Sequence, residues 1–159
     1  MTTTTRQTEI SLDPDVPLVR IIREFDASPE QVFRAHTDPE LFSQWNGPRG
    51  MQKRIDHFDC RTGGSYRYEL AREDMSASFY GCFHEVRPSE AIVQTFTFEG
   101  MPDGVAPERL VFTDLGGGRT RLTATSLVDS FADRDAFVAS GMETGVREGY
   151  ERLDEVLAR

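Results

Sequence analysis

The chain has few cationic residues for its acidic ones: 18 Lys and Arg against 27 Asp and Glu, a net charge of −9. That deficit argues against nucleic acid as a partner, because neutralising phosphates requires a surplus of Lys and Arg on one face. It argues equally against an anionic membrane surface. Long apolar runs are missing, so no segment is expected to cross a bilayer. Met1-Thr-Thr-Thr-Thr-Arg6 lacks the apolar centre of a secretion signal, and the expected location is the cytoplasm. Cysteine is scarce, with only Cys60 and Cys82, and two thiols in a cytoplasmic chain are expected to be reduced and packed. Histidine is scarce as well. His36, His57 and His84 show no metal-ligand spacing, so no metal or other cofactor is expected. Neither a Gly-x-Ser-x-Gly elbow nor a Cys/His signature occurs, no catalytic residue is assigned, and the pattern points away from an enzyme.

Phenylalanine, by contrast, is abundant: eleven Phe against a single Trp. Large flat side chains suit a wide core or a lined cavity. With 159 residues the chain fits one domain. Residues 1–17, with Pro14 and Pro17, read as a flexible leader holding at most a short strand at Ile10–Leu12, and 18–159 as the domain.

Leu18–Phe25 is rich in β-branched residues and predicts a strand. Ser28-Pro29-Glu30-Gln31 spells a capping box with Pro in the first turn, and Asp38-Pro39 restarts the same signal. Two short helices, 29–37 and 39–45, follow from this. The middle of the chain then alternates in strand fashion over Met51–Phe58, Ser65–Ala71, Ser76–Val86, Ala91–Phe98, Glu108–Leu115 and Arg119–Leu127. Gly116-Gly117-Gly118 marks a hairpin rather than a phosphate cradle, because no helix follows it. A helix of about 25 residues, Ala132–Ala158, closes the chain behind a capping pattern at Ser130 and Asp133. Hairpin-linked strands imply an antiparallel sheet with one face to cover, and the helix carries one apolar stripe to bury. The expected fold is therefore α+β: a curved sheet of six to seven strands around the long C-terminal helix.

Gly141, Gly145 and Gly149 recur on one face of that helix, each costing about 1 kcal/mol relative to Ala. Two explanations stand side by side: close backbone packing, or free volume between helix and sheet. Aromatic strand residues facing such a notch would wall a cavity. The candidate ligand-binding set is Trp45, Tyr66, Tyr68, Phe79, Phe83, His84, Phe96, Phe98, Phe112, Met142, Val146 and Tyr150. Tyr66, Tyr68 or His84 would orient a polar end, and Arg67 and Glu69 alternate toward solvent.

Several stretches, in this order and spacing, carry a family resemblance: Phe25-Asp-Ala-Ser-Pro-Glu-Gln-Val-Phe33, Thr37-Asp-Pro-Glu-Leu41, Trp45-Asn-Gly-Pro-Arg-Gly50, Thr62-Gly-Gly-Ser-Tyr-Arg-Tyr68, Gly81-Cys-Phe-His-Glu-Val86 and Gly141-Met-Glu-Thr-Gly-Val146. The chain resembles the SRPBCC (START-like, helix-grip, Bet v 1-like) superfamily over residues 12 to 158. Within it, the resemblance is to the branch related to the activator of the Hsp-90 ATPase. The resemblance implies a pocket between sheet and helix for a lipid, steroid, hormone or polyketide. Asn46 and Val146 depart from the usual aromatic residues at their positions, so a relative's ligand does not transfer. Three functions follow as expectations. The first is binding of a small apolar or amphipathic molecule. The second is a co-chaperone-like interaction module with a chaperone partner. The third is a cyclase or hydrolase acting on a pocketed substrate. A homodimer is compatible with each.

Overall fold

A computed structural model of the chain describes residues 7–159. Eight strands form one antiparallel sheet: β1 (Glu9–Leu12), β2 (Leu18–Phe25), β3 (Gln52–Phe58), β4 (Ser65–Arg72), β5 (Met75–Arg87), β6 (Ala91–Phe98), β7 (Ala106–Gly116) and β8 (Arg119–Leu127). Their order across the sheet is β1-β2-β8-β7-β6-β5-β4-β3. Four helices complete the fold: α1 (Pro29–Thr37), α2 (Pro39–Trp45), α3 (Phe131–Ala139) and α4 (Met142–Leu157). This is the helix-grip architecture expected from the sequence, with one strand more than the count made there. The extra strand, β1, lies within the stretch read as a leader, and it pairs with β2 along the sheet edge. The part of that leader before residue 7 lies outside the described residues.

Local signals place the helices. The Ser28 hydroxyl accepts the Gln31 amide at 3.3 Å, while the Gln31 side chain accepts the Ser28 amide at 2.9 Å, closing the capping box. Asp38 caps α2 through the amides of Glu40 and Leu41, and Ser130 caps α3 through that of Asp133.

The single long C-terminal helix expected from the sequence is instead two. Gly141 sits at φ +90°, between α3 and α4. A left-handed residue just past a helix end is the usual glycine stop, and the Gly141 amide donates back to the Val138 carbonyl. Of the other two glycines, Gly149 serves close packing, and Gly145 leaves room only for an ordinary contact. A Cβ on Gly149 would stand 3.1 Å from the Trp45 carbonyl oxygen, and one on Gly145 would stand 3.5 Å from Pro48 Cδ. The notch of α4 is therefore filled by the Trp45–Pro48 segment that links α2 to β3.

The inner face of the sheet meets α1, α2 and α4 in one apolar core around Phe25, Val32, Trp45, Phe112, Leu122 and Leu153. Trp45 anchors α2 to α1 by donating its indole N–H to the Ala35 carbonyl at 2.9 Å. One charged residue sits on the inner face of β2. Arg23, 2% exposed, makes a two-point ion pair with Asp154 of α4 at 2.9 and 2.6 Å, and also donates to the Glu24 carbonyl. Removing the acid leaves a buried guanidinium without its counter-charge, a loss of about 3 kcal/mol for pairs of this kind. Asp154→Ala is expected to lower unfolding free energy by that amount in a urea titration. A loss below about 0.5 kcal/mol, typical of surface ion pairs, would show that Arg23 finds water instead.

Candidate functional site: the open end of the concave face

Strand register brings together residues far apart in sequence. Glu108 on β7 pairs with Gln94 on β6 and with Ser126 on β8. Alternation from the core residues Ile92, Phe112 and Leu122 places all three on the inner face. Gln94 donates its amide N–H to Glu108 Oε1 at 3.0 Å, and the Ser126 hydroxyl donates to Glu108 Oε2. Among the described residues no cationic side chain pairs with this carboxylate. Desolvation outweighs the two hydrogen bonds and raises its pKa above the ordinary glutamate value of 4.5.

Burial falls along the inner face toward this trio. At the α1 end, Phe25, Phe112 and Leu122 are 1%, 5% and 0% exposed. Toward the other end, Ile21, Phe96, Leu110, Ala124, Gln94, Glu108 and Ser126 are only half-buried although all face inward, while Val19 and Ala106, paired with Ser126 and Phe96 on the same face, are 1% and 8% exposed. The helices thus cover one end of the concave face and leave accessible surface at the other.

The candidate residues divide along this gradient. Trp45, Tyr66, Tyr68, Phe83, Phe112 and Tyr150 are buried and pack ring against ring. Phe79 and Phe96 stack at 5.1 Å and are half-buried, and Phe98 lies at the lip, 40% exposed. Met142 and Val146 are half-buried on α4. His84 does not join them. It is exposed on β5, beside a register shift between Phe83 and Glu85, because Phe83 takes the inward position next to it. The Tyr66 hydroxyl is also engaged, donating to the Thr95 carbonyl at 2.7 Å. Burial first, and the Glu108 charge next, raise the phenols of Tyr66 and Tyr150, and burial likewise raises that of Tyr68. All three tyrosines therefore stay protonated, and none is an available base. Arg67 points outward as expected and pairs with Glu99 at 2.8 Å. Cys60 is half-buried and Cys82 exposed, both unbridged.

A second polar group escaped the sequence analysis. Lys53 on β3 turns inward and places its Nζ 4.2 Å from the Phe42 ring centre and 4.7 Å from that of Tyr68. Its Nζ is buried without a hydrogen-bond partner among the described residues. His36 is enclosed too, donating its Nδ1–H to the Val32 carbonyl at 2.8 Å, and burial lowers its pKa to about 4.

Two clefts lie elsewhere. One of about 280 Å³ is bordered by Glu9, Ile22, Arg23, Glu24 and Arg121, and a smaller one by Asp26, Asp154, Leu157 and Ala158. Among the described residues no group of three or more His, Cys, Asp or Glu is placed to hold a metal ion, and no helix is long and apolar enough to cross a membrane.

Comparison with known proteins settles the lineage. The sequence profile described as "Activator of Hsp90 ATPase homolog 1-like protein" matches residues 26–158. The chain belongs to this family. Solved structures agree with the assignment. A Rhodobacter sphaeroides protein is 26% identical, with TM-score 0.84 over 94% of this chain and 97% of that one. A protein from Arthrobacter aurescens is 25% identical, with TM-score 0.85 over 94% and 91%. Protein Ms6760 of Mycobacterium smegmatis, at 21% identity and TM-score 0.86 over 95% and 97%, shares the fold. No curated protein matches. The fold and its element order are thus shared with solved structures similar to this chain.

Lys53 gives the site a measurable signature. Burial, and next the nearby Arg152 charge, lower its pKa to about 6. The unfolded chain therefore holds the extra proton between about pH 6 and the ordinary 10.5, and stability rises with pH across that window. Lys53→Met removes the cost of burying the amine and is expected to gain on the order of 1 kcal/mol at pH 7. The gain should shrink toward pH 10. An equal effect at both values in denaturant titrations would mean that Lys53 is not desolvated.

Proposed function

We propose that this protein binds one small apolar or amphipathic molecule at the open end of the concave face. One observation carries the reading: Gln94, Phe96, Glu108, Leu110, Ala124 and Ser126 on the inner face of β6, β7 and β8 keep accessible surface, whereas Phe25, Phe112 and Leu122 at the α1 end have almost none. A sheet face that must be buried, and that the chain's own helices cover only in part, is suited to a guest that completes the burial. Phe79, Phe96, Leu110, Ala124 and Val146 would supply apolar contact, and Met101 and Val105, exposed in the loop before β7, would border the entrance. The closed aromatic cluster of Trp45, Tyr66, Tyr68, Phe83, Phe112 and Tyr150 would act as the rigid floor of the site. The polar end of the guest would face Glu108 and its two partners, not His84.

The neutral dye Nile red tests this reading. It is expected to bind saturably at one site, with a blue-shifted emission. Ala124→Trp, which places a large side chain into the uncovered strip, should abolish that signal with little change in melting temperature. Absence of saturable binding to the wild type, or binding that Ala124→Trp leaves intact, would sink the proposal.

A co-chaperone-like role has the family description in its favour. It predicts stimulation of a chaperone ATPase by a surface that Ala124→Trp does not touch, so the same variant separates the two readings.

A further inference from the structure

The character of the open end points beyond a generic apolar ligand. We infer that the site selects a hydrophobic amine, a molecule whose cationic nitrogen pairs with Glu108 while its apolar body lies against the aromatic strands. This rests on the binding reading above and specifies the class of guest.

The argument begins with charge. Glu108 is the inward-facing acid at the centre of the accessible strip, on the middle strand of the three that form it. Its two partners, Gln94 and Ser126, are neutral donors, and among the described residues no Lys, Arg or His lies within ion-pair distance. Arg23, the buried cation on the inner face of β2, is already matched by Asp154. An interior carboxylate is normally paired or hydrogen-bonded to saturation, and two donors leave part of its acceptor capacity unused. An ammonium group supplies both the missing charge and the missing donors in one contact.

The surroundings agree with that choice. The Glu108 charge acts on Tyr66 and Tyr68 of β4 and on Tyr150 of α4, each a phenol that stays neutral. Aromatic faces attract cations and repel anions. Phe79 and Phe96 add two stacked rings at the accessible end. A carboxylate ligand would meet the Glu108 charge with no basic residue to offset it. A neutral ligand would leave that charge as it is. An amine improves the site's electrostatics, so selectivity follows from what the apo site lacks.

The test is displacement of Nile red at pH 7 by two probes of equal length, decylamine below its micelle concentration and decanol below its solubility limit. The amine is expected to compete about tenfold or more better than the alcohol, the discrimination typical of one added charge-assisted contact. In Glu108→Gln, a nearly isosteric change, the amine should lose that advantage while the alcohol competes as before. Glu108→Asp provides the second variant: it keeps the charge and should keep a reduced preference. Equal competition by both probes on the wild type overturns the inference, as does an amine preference that survives Glu108→Gln. If Nile red binds and only the amine preference is missing, the inference falls while the binding proposal stands. If Nile red itself does not bind, both fall.

Discussion

The ion pair between Arg23 and Asp154 is the constraint on which the arrangement of the whole grip depends. A curved antiparallel sheet has one face that must be covered, and in this chain α4 is the cover. Apolar contact alone is non-directional and would tolerate sliding of the helix along the groove. A two-point bond from a buried guanidinium on β2 to the last turns of α4 does not tolerate it. The Trp45–Pro48 segment pressed into Gly145 and Gly149 holds the middle of the same helix. Between them these contacts draw the helical layer toward the α1 end of the sheet.

The price of that arrangement is an unfinished core. Where α4 begins, Gly141 has already turned the chain out of α3, and Gln94, Phe96, Glu108, Leu110, Ala124 and Ser126 on the inner face of β6, β7 and β8 are left half-buried. The gradient from Leu122, fully buried, to Ser126, four residues along the same strand, is the physical form of a site: close-packed support at one end and accessible surface at the other. Rigid support matters here, since a guest bound against a fluid wall would lose in ordering entropy much of what it gains in contact.

Much of this was legible in the sequence, and the limits of legibility have a common cause. Capping boxes, proline starts and glycine turns act over three or four residues, so β2, α1, α2 and the β7–β8 hairpin could be read with their boundaries close to correct. The family resemblance then supplied the element order. The break at Gly141 was ambiguous because a periodic glycine serves equally as a helix stop, a notch or a tolerated cost. The polar trio was not readable at all. Alternation shows that Glu108 shares a face with Phe112, but its partners lie 14 and 18 residues away, and only the strand register brings them together. Lys53 escaped for the same reason, since its position over Phe42 and Tyr68 depends on how α2 packs against β3. His84 entered the candidate set beside Phe83, although alternation turns only one of two neighbours inward, and Phe83 takes that position.

Polar groups inside an apolar grip bear on function because each is a cost that hydrophobic packing could have avoided. Lys53 on β3 and Glu108 on β7 both turn inward, and burial pushes both toward their neutral forms. The two differ in access. Lys53 has its nitrogen sealed between rings, so whatever it contributes is confined to the packed end. Glu108 is only half-buried, on the strip that the helices leave uncovered. A desolvated acid that a guest can reach is a stored unfavourable interaction, and a ligand that relieves it gains affinity beyond what apolar contact supplies. For that reason Glu108, rather than the larger aromatic set that surrounds it, is the residue that would distinguish one hydrophobic guest from another.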